Sequence, residues 1–266
     1  MDFEDLQTVC LPTGFSGTAN QPLAYALTAH PNVVMGNEFG LLKNWWNNGT
    51  PLAIDEFLSE VLAMNDKMDT DAITYKRRKA RYYLVANQWQ GRYERLTVIG
   101  DCSPKTNTEI LIKKKCEALE IFSDNIRVPI KFIFLVRNPY DMISSSTITS
   151  YWQKTRTEIL NIMIDKFIKG CEQKAYLLAK ISRMPASSVL VWYLEDHIAN
   201  PQQKLAELCD FLNIGSTASY LDACAKIFYK KPSKSRYLIN WPEEYKARIA
   251  ATIEKYDFLS DYSWDS

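Results

Sequence analysis

Phe132-Ile133-Phe134-Leu135-Val136-Arg137-Asn138-Pro139-Tyr140-Asp141, followed by Ser144, Ser145 and Ser146, is the stretch on which the fold turns. Its opening residues are apolar without alternation, the mark of a strand covered on both faces, as in a parallel sheet. An arginine at the carboxyl end of such a strand sits in the crevice where open α/β sheets bind ligands. It is costly there unless it meets an anion. Arg137 and Ser145 can grip one phosphate together, the guanidinium supplying a planar fork of donors and the serine a hydroxyl. A salt bridge from Arg137 to Asp141, locking the turn, is the competing reading.

Outward from this point, short β-branched or apolar runs recur at Thr8 to Leu11, Val33 to Met35, Leu96 to Ile99, Lys131 to Val136 and Ser188 to Tyr193. Helical patterns lie between them. Gln21 to Thr28 can be helical; Asp55 to Met64 places Phe57, Leu58, Val61 and Leu62 on one stripe. Thr106 and Glu109 have capping-box spacing ahead of Ile110 to Ile121. Thr157 to Ile181 and Pro201 to Leu212 continue the alternation, the latter with proline at a first helical position. Strand and helix in turn predict an α/β layered sheet. No repeat and no Pro/Ser-rich linker divides the chain, so residues 1–266 read as one domain. Residues 40–95 are the least regular. They carry Trp45, Trp46, Tyr82, Tyr83, Trp89 and Tyr93, which fit either an insertion lining an acceptor pocket or half-buried aromatics on surface helices.

Among the 266 residues, 32 basic side chains face 31 acidic ones, a net charge of +1, which excludes a global nucleic-acid-binding field. Hydrophobic residues at 47% and charged residues at 24% are ordinary for a globular protein. Val128 to Val136, the most apolar stretch, is interrupted by Lys131 and falls far short of the ~20 residues of a membrane helix. No membrane partner is expected. The opening Met-Asp-Phe-Glu-Asp has neither basic region nor apolar core, so a cytoplasmic location is expected. Six cysteines without a C-x-x-C pair predict reduced thiols, with no metal site. No feature specifies an oligomeric state.

The first strand runs into Leu11-Pro12-Thr13-Gly14-Phe15-Ser16-Gly17-Thr18, which leads to the helical stretch from Gln21. Small residues there let backbone N–H groups wrap an anion that the helix N-terminus faces. It is no Walker A loop, because Gly17 rather than Lys precedes Thr18. A plain glycine-containing turn reads the same way in isolation.

In combination these stretches resemble the sulfotransferases that use 3′-phosphoadenosine 5′-phosphosulfate (PAPS). Arg137-Asn138-Pro139-x-Asp141 with Ser145 resembles their 3′-phosphate motif, and Ser16-Gly17-Thr18 their 5′-phosphosulfate loop. His30-Pro31, Gly100-Asp101-x-Ser103-Pro104 and Glu195-Asp196-x-x-x-Asn200-Pro201 leading to Phe211-Leu212 agree in order and spacing. Lys231-Pro232-Ser233-x-x-Arg236-Tyr237 resembles the loop that closes over the nucleotide.

The resemblance implies a three-layer sandwich with a central parallel sheet, related to P-loop kinases. It implies transfer of a sulfuryl group from PAPS, with 3′-phosphoadenosine 5′-phosphate (PAP) as product, to a hydroxyl or amine of a small-molecule acceptor. A bacterial natural product is one option for that acceptor. Gly14, Phe15, Ser16, Gly17, Thr18 and Ala19 would hold the 5′-phosphosulfate; Arg137 and Ser145 the 3′-phosphate, with Lys231, Ser233 and Arg236 adding contacts. No metal is required, since fixed donors can carry the charge. Glu38, after the second strand, matches the place of a catalytic glutamate, and Asp101 is the alternative base. The chain departs from the family at Phe15, where a Lys or Arg is usual; Lys105 and Lys43 are the expected substitutes. The tyrosine usual before Glu-Asp would fall at Leu194, one residue from Tyr193. His30 reads as structural, and His197 has no functional case. The run Lys76-Arg77-Arg78-Lys79-x-Arg81 reads as a solvated helical face or a lid over an anion. A P-loop small-molecule kinase and a catalytically weak nucleotide-binding relative are the alternative functions.

Overall fold

The computed structural model describes residues 4–15, 17–37, 40, 42–43, 56, 58–63, 85–103, 107–109, 111, 117–126, 128–150, 153–184 and 187–266. Five strands, β1 (Thr8–Gly14), β2 (Val33–Asn37), β3 (Val98–Cys102), β4 (Ile130–Val136) and β5 (Ser187–Tyr193), form one parallel sheet in the order β2-β3-β1-β4-β5. All five lie on the runs predicted from the sequence. β1 extends beyond its predicted end at Leu11, through Pro12. Thr8 N–H donates to Thr97 O on the β3 side and Val9 N–H to Pro129 O on the β4 side, so the donor missing at Pro12 would face β3. β1 pairs with β3 only as far as Cys10 opposite Gly100, and continues against β4 alone to Gly14 opposite Leu135. The proline costs no ladder bond. Gly100 allows the close approach of β3: a Cβ there would lie 1.9 Å from Cys10 O.

The helices are α1 (Asn20–Thr28), α2 (Glu117–Ile126), α3 (Pro139–Ile148), α4 (Arg156–Ile181), α5 (Leu194–Ala199), α6 (Pro201–Leu212), α7 (Ala218–Ala225) and α8 (Glu243–Ile253). They cover both faces of the sheet, as alternation of strand side chains requires. Cys10, Met35, Ile133, Leu135 and Trp192 pack with α1, α6 and α7 on one face. Val9, Leu11, Ile99 and Phe132 pack with α2 and the end of α4 on the other. Phe134 and Val136 continue that second layer toward α3, α8 and the last residues. The expected capping box at Thr106 lies outside the described residues. One is present where α4 begins: Thr155 Oγ1 accepts from Glu158 N–H, and Glu158 Oε2 accepts from Thr155 N–H. Among the described residues, no helix is long and apolar enough to cross a membrane.

In the strand order the chain passes from β1 to β2 and β3 on one side of β1, whereas β4 and β5 lie on its other side. The crevice between the carboxyl ends of β1 and β4 is therefore the topological switch point.

Candidate active site

A cleft of about 560 Å³ opens at that crevice, lined among others by Gly17, Ala19, Arg137, Ser145, Glu195 and Ser233. Its floor is the β1–α1 loop. Gly14 has φ +140°, and a Cβ on it would lie 2.6 Å from Leu135 O; Gly17 has φ +82°. Ala19, also left-handed at φ 59°, caps α1 without a side-chain hydrogen bond, and the first turn carries no acidic residue. Its N–H groups are thus left for an anion. The Thr18 hydroxyl lies 2.7 Å from Phe15 O and 2.8 Å from Asn20 Oδ1, bracing the loop from within rather than facing the cleft.

Arg137 ties three segments together. Its Nη1 donates to Gly17 O at 2.9 Å and its Nη2 to Ser233 O at 3.2 Å. The competing reading, a lock on Asp141, is not what forms. Asp141 Oδ1 accepts from Arg236 N–H at 2.9 Å and lies 3.5 Å from Arg236 Nε, both side chains being 2% exposed. Ser235 Oγ donates to Asp141 O at 2.7 Å. These bonds clamp a short 3-10 turn, Ser235–Leu238, onto α3. Asn138 opens α3 by accepting from Tyr140 N–H at 3.0 Å, ahead of Pro139 in the first turn. Glu195 accepts from Asn138 N–H at 3.0 Å and from Tyr262 Oη at 2.6 Å. Burial and the Glu195 carboxylate push the Tyr262 phenol well above its usual range. Its carboxylate is thereby held as a brace for the Arg137 turn.

Of the residues named from sequence, Gly17, Ala19, Arg137, Ser145 and Ser233 line the cleft together. Gly14, Phe15 and Thr18 form the loop behind it. Lys231 is exposed and is not among the lining residues. Arg236 departs from expectation: it is buried at 1% exposure on Asp141 and on the carbonyl oxygens of Ser263 and Ser266. A buried guanidinium paired with a buried carboxylate holds the loop rather than a ligand. Asp101 is fully buried at the end of β3, its carbonyl accepting from Asn107 Nδ2 at 3.0 Å. Ser16, Glu38, Lys105 and the run 76–81 lie outside the described residues, as does most of 40–95. Lys43 is exposed. His30 is a structural pin: its Nε2 donates to Gly215 O at 2.6 Å, and its Nδ1 accepts from Asn32 N–H at 3.1 Å. Leu194 lines the cleft, while Tyr193 packs on Tyr262 with ring centres 6.1 Å apart.

Sequence reading misses Asn20, Gln21, Pro22 and Tyr229, which also line the cleft. It also misses Lys174. On the far side of the loop, Phe15 is 7% exposed, with its ring centre 5.2 Å from that of Phe167. The Lys174 Nζ stands 3.9 Å from the Phe15 ring centre. Lys174 occupies the buried stripe of α4 with Ile164, Phe167 and Cys171, and that break in the stripe was its one signal in the sequence.

The family model for the sulfotransferase domain matches residues 86–261, well over half of the chain and including the Arg137 turn, Ser145 and the 231–236 loop. Among solved structures, the sulfotransferase domain of the Synechococcus PCC 7002 olefin synthase is 16% identical, with 97% of this chain and 98% of that one covered at a TM-score of 0.56. A sulfotransferase from Alicyclobacillus acidocaldarius is 14% identical over 97% of this chain and 98% of that one, at a TM-score of 0.49. A comparison with curated proteins finds no match. The likeness to the olefin synthase domain shows the α/β fold; the match through the Arg137 turn and the closing loop goes further, and by it the chain belongs to the sulfotransferase family of enzymes.

Proposed function

We propose that the cleft binds PAPS and that the protein transfers its sulfuryl group to a small-molecule acceptor. The observation that carries this reading is the state of Arg137. Its charged guanidinium stands at the switch point with only two carbonyl oxygens as partners, and among the described residues it makes no ion pair. The carboxylate nearest in function, Glu195, is engaged with Asn138 and Tyr262. A cation held open in this way is complementary to an anion, and Ser145 adds a hydroxyl beside it. Arg137 and Ser145 then take the 3′-phosphate. The loop from Gly14 to Ala19 and the N–H groups at the start of α1 take the 5′-phosphosulfate, and Ser233 closes the cleft.

Sulfuryl transfer needs the acceptor in line with the leaving oxygen, so most of the catalysis comes from positioning and from fixed charge. The acceptor would approach from the β2–β3 side, where Glu38 and Asp101 are the proposed bases and residues 40–95 of a single domain spanning 1–266 the proposed acceptor-side insertion. A bacterial natural product is one option for the acceptor.

Calorimetric titration with PAP, and separately with ATP and Mg²⁺, tests the donor. The expected result is micromolar PAP binding with little response to ATP. Preference for ATP would favour a kinase, and no binding of either would refute nucleotide use by this cleft.

A further inference from the structure

The loop that would hold the leaving group contains no cation: Gly14 to Ala19 are all uncharged. When the bond between sulfur and the bridging oxygen breaks, its electron pair stays on that oxygen, which becomes part of the 5′-phosphate of PAP. The acceptor bonds to sulfur and loses its proton to the general base. Negative charge therefore grows beside the loop, and a fixed positive group there lowers the barrier.

Two features of α4 break local rules at one place. Lys174 lies on the helix's buried stripe, 6% exposed, and among the described residues it makes no hydrogen bond or ion pair. Gly170, one turn earlier, sits in the interior of a long helix, where glycine costs about 1 kcal/mol relative to alanine. Both meet at Phe15. A Cβ on Gly170 would lie 3.1 Å from the edge of the Phe15 ring and 3.9 Å from Lys174 Nζ. The missing side chain leaves room for the ring, and the ring's negative face receives the Lys174 charge at 3.9 Å. A lysine at residue 15 would start from the backbone position that now carries the Phe15 ring. Breaks of local rules concentrate where function is served.

We propose that Lys174, reaching the loop from α4 across Phe15, supplies the positive charge for the leaving 5′-phosphate oxygen. This rests on the PAPS reading of the cleft. Burial pulls the ammonium down to about 8, against the opposing influence of Cys171 on its own helix and Glu109 on the turn after β3. The lysine is therefore charged at neutral pH and loses its charge just above it.

PAP carries the 5′-phosphate that this charge should meet; adenosine 3′-phosphate lacks it and keeps the 3′-phosphate assigned to Arg137. Calorimetric titration of both ligands separates the two sites without knowledge of the acceptor. Lys174→Met should weaken PAP about thirtyfold at pH 7 and leave adenosine 3′-phosphate within about threefold. PAP affinity of the wild type should fall as pH rises through about 8, and in Lys174→Arg that dependence should move to higher pH. Phe15→Lys in the Lys174→Met background should recover PAP binding, because it returns an ammonium to the loop. The melting temperature of Lys174→Met should hold or rise, since a desolvated charge is removed. Equal weakening of both ligands, or a melting temperature that falls, would make Lys174 a packing residue and overturn the inference. So would unchanged PAP affinity, or affinity that rises with pH. If the wild type binds adenosine 3′-phosphate but not PAP, Lys174 loses its role while Arg137 keeps its own; binding of neither removes the donor reading and this inference with it.

Discussion

Arg137 and Arg236 are close in the fold and were both expected at the nucleotide, yet the structure divides them, and their alanine variants should diverge accordingly. Arg236 is fully enclosed with Asp141: both side chains are 2% exposed, Nε lies 3.5 Å from Oδ1, and the Arg236 N–H donates to the same oxygen at 2.9 Å. Arg236→Ala leaves that carboxylate buried with one backbone donor, and breaking a buried pair from one side costs about 3–5 kcal/mol. In a chain of this size each kcal/mol moves the melting temperature by roughly 2–4 °C, so the fall should be about 6–20 °C. Replacing both partners, Asp141→Asn with Arg236→Met, should recover most of it, because no charge is then stranded and the asparagine oxygen can still accept the backbone N–H. Arg137→Ala loses two bonds to carbonyls at the mouth of a cleft and should cost little stability. Its effect should appear in PAP affinity, weakened by roughly 2–5 kcal/mol if the phosphate pair is desolvated. Urea unfolding and calorimetry on the same preparations give both numbers. A loss of stability below about 1 kcal/mol for Arg236→Ala, or a PAP effect confined to Arg236, would refute this division of labour.

His197 is fully buried, with its ring centre 4.0 Å from Phe228 and 4.7 Å from Trp192, and burial holds it down at about 4. Below its ordinary value near 6.5 the unfolded chain takes a proton that the folded chain refuses, so stability present above pH 6.5 is lost as pH falls toward 4. Between pH 6.5 and pH 5 the loss should be about 2 kcal/mol, and His197→Leu should remove it from a urea-unfolding series; an identical pH slope in both proteins would discount the assignment. Gly14→Ala places a Cβ 2.6 Å from Leu135 O at φ +140°, so it should cost about 1–3 kcal/mol and lower PAP affinity. A variant that matches the wild type in both would mean the loop is not held against β4.

The five strands were legible because each is a near-continuous apolar run, the pattern a two-sided parallel sheet demands. Their ends were less so. The run read for β1 ends at Leu11, before Pro12, and whether a strand tolerates that proline depends on which neighbour the absent N–H would have faced. In a parallel strand that alternates residue by residue, and the answer rests on where pairing with β3 stops, a property of two strands rather than one. The capping box that opens α4, at Thr155 and Glu158, is a local pattern standing directly before the helix.

The site divides along the same line. That Gly17, Arg137 and Ser145 meet at one cleft was legible because their place follows from the strand ends, which periodicity supplies. Arg236 could not, because one sequence position does not say whether a guanidinium meets a ligand or a buried carboxylate; Asp141, across the chain, decides it. Lys174 lies between these cases. A search near the loop for its missing cation looks along the chain, toward Lys43 and Lys105, whereas the cation proposed above stands on a helix that meets Phe15 in space. What the sequence does carry is a pair of local faults, a glycine inside a long helix and a lysine in its apolar stripe, one turn apart. Each alone is common. Together they mark the place where α4 takes in an aromatic ring with an ammonium on its face, and the role proposed for Lys174 would give a reason for both.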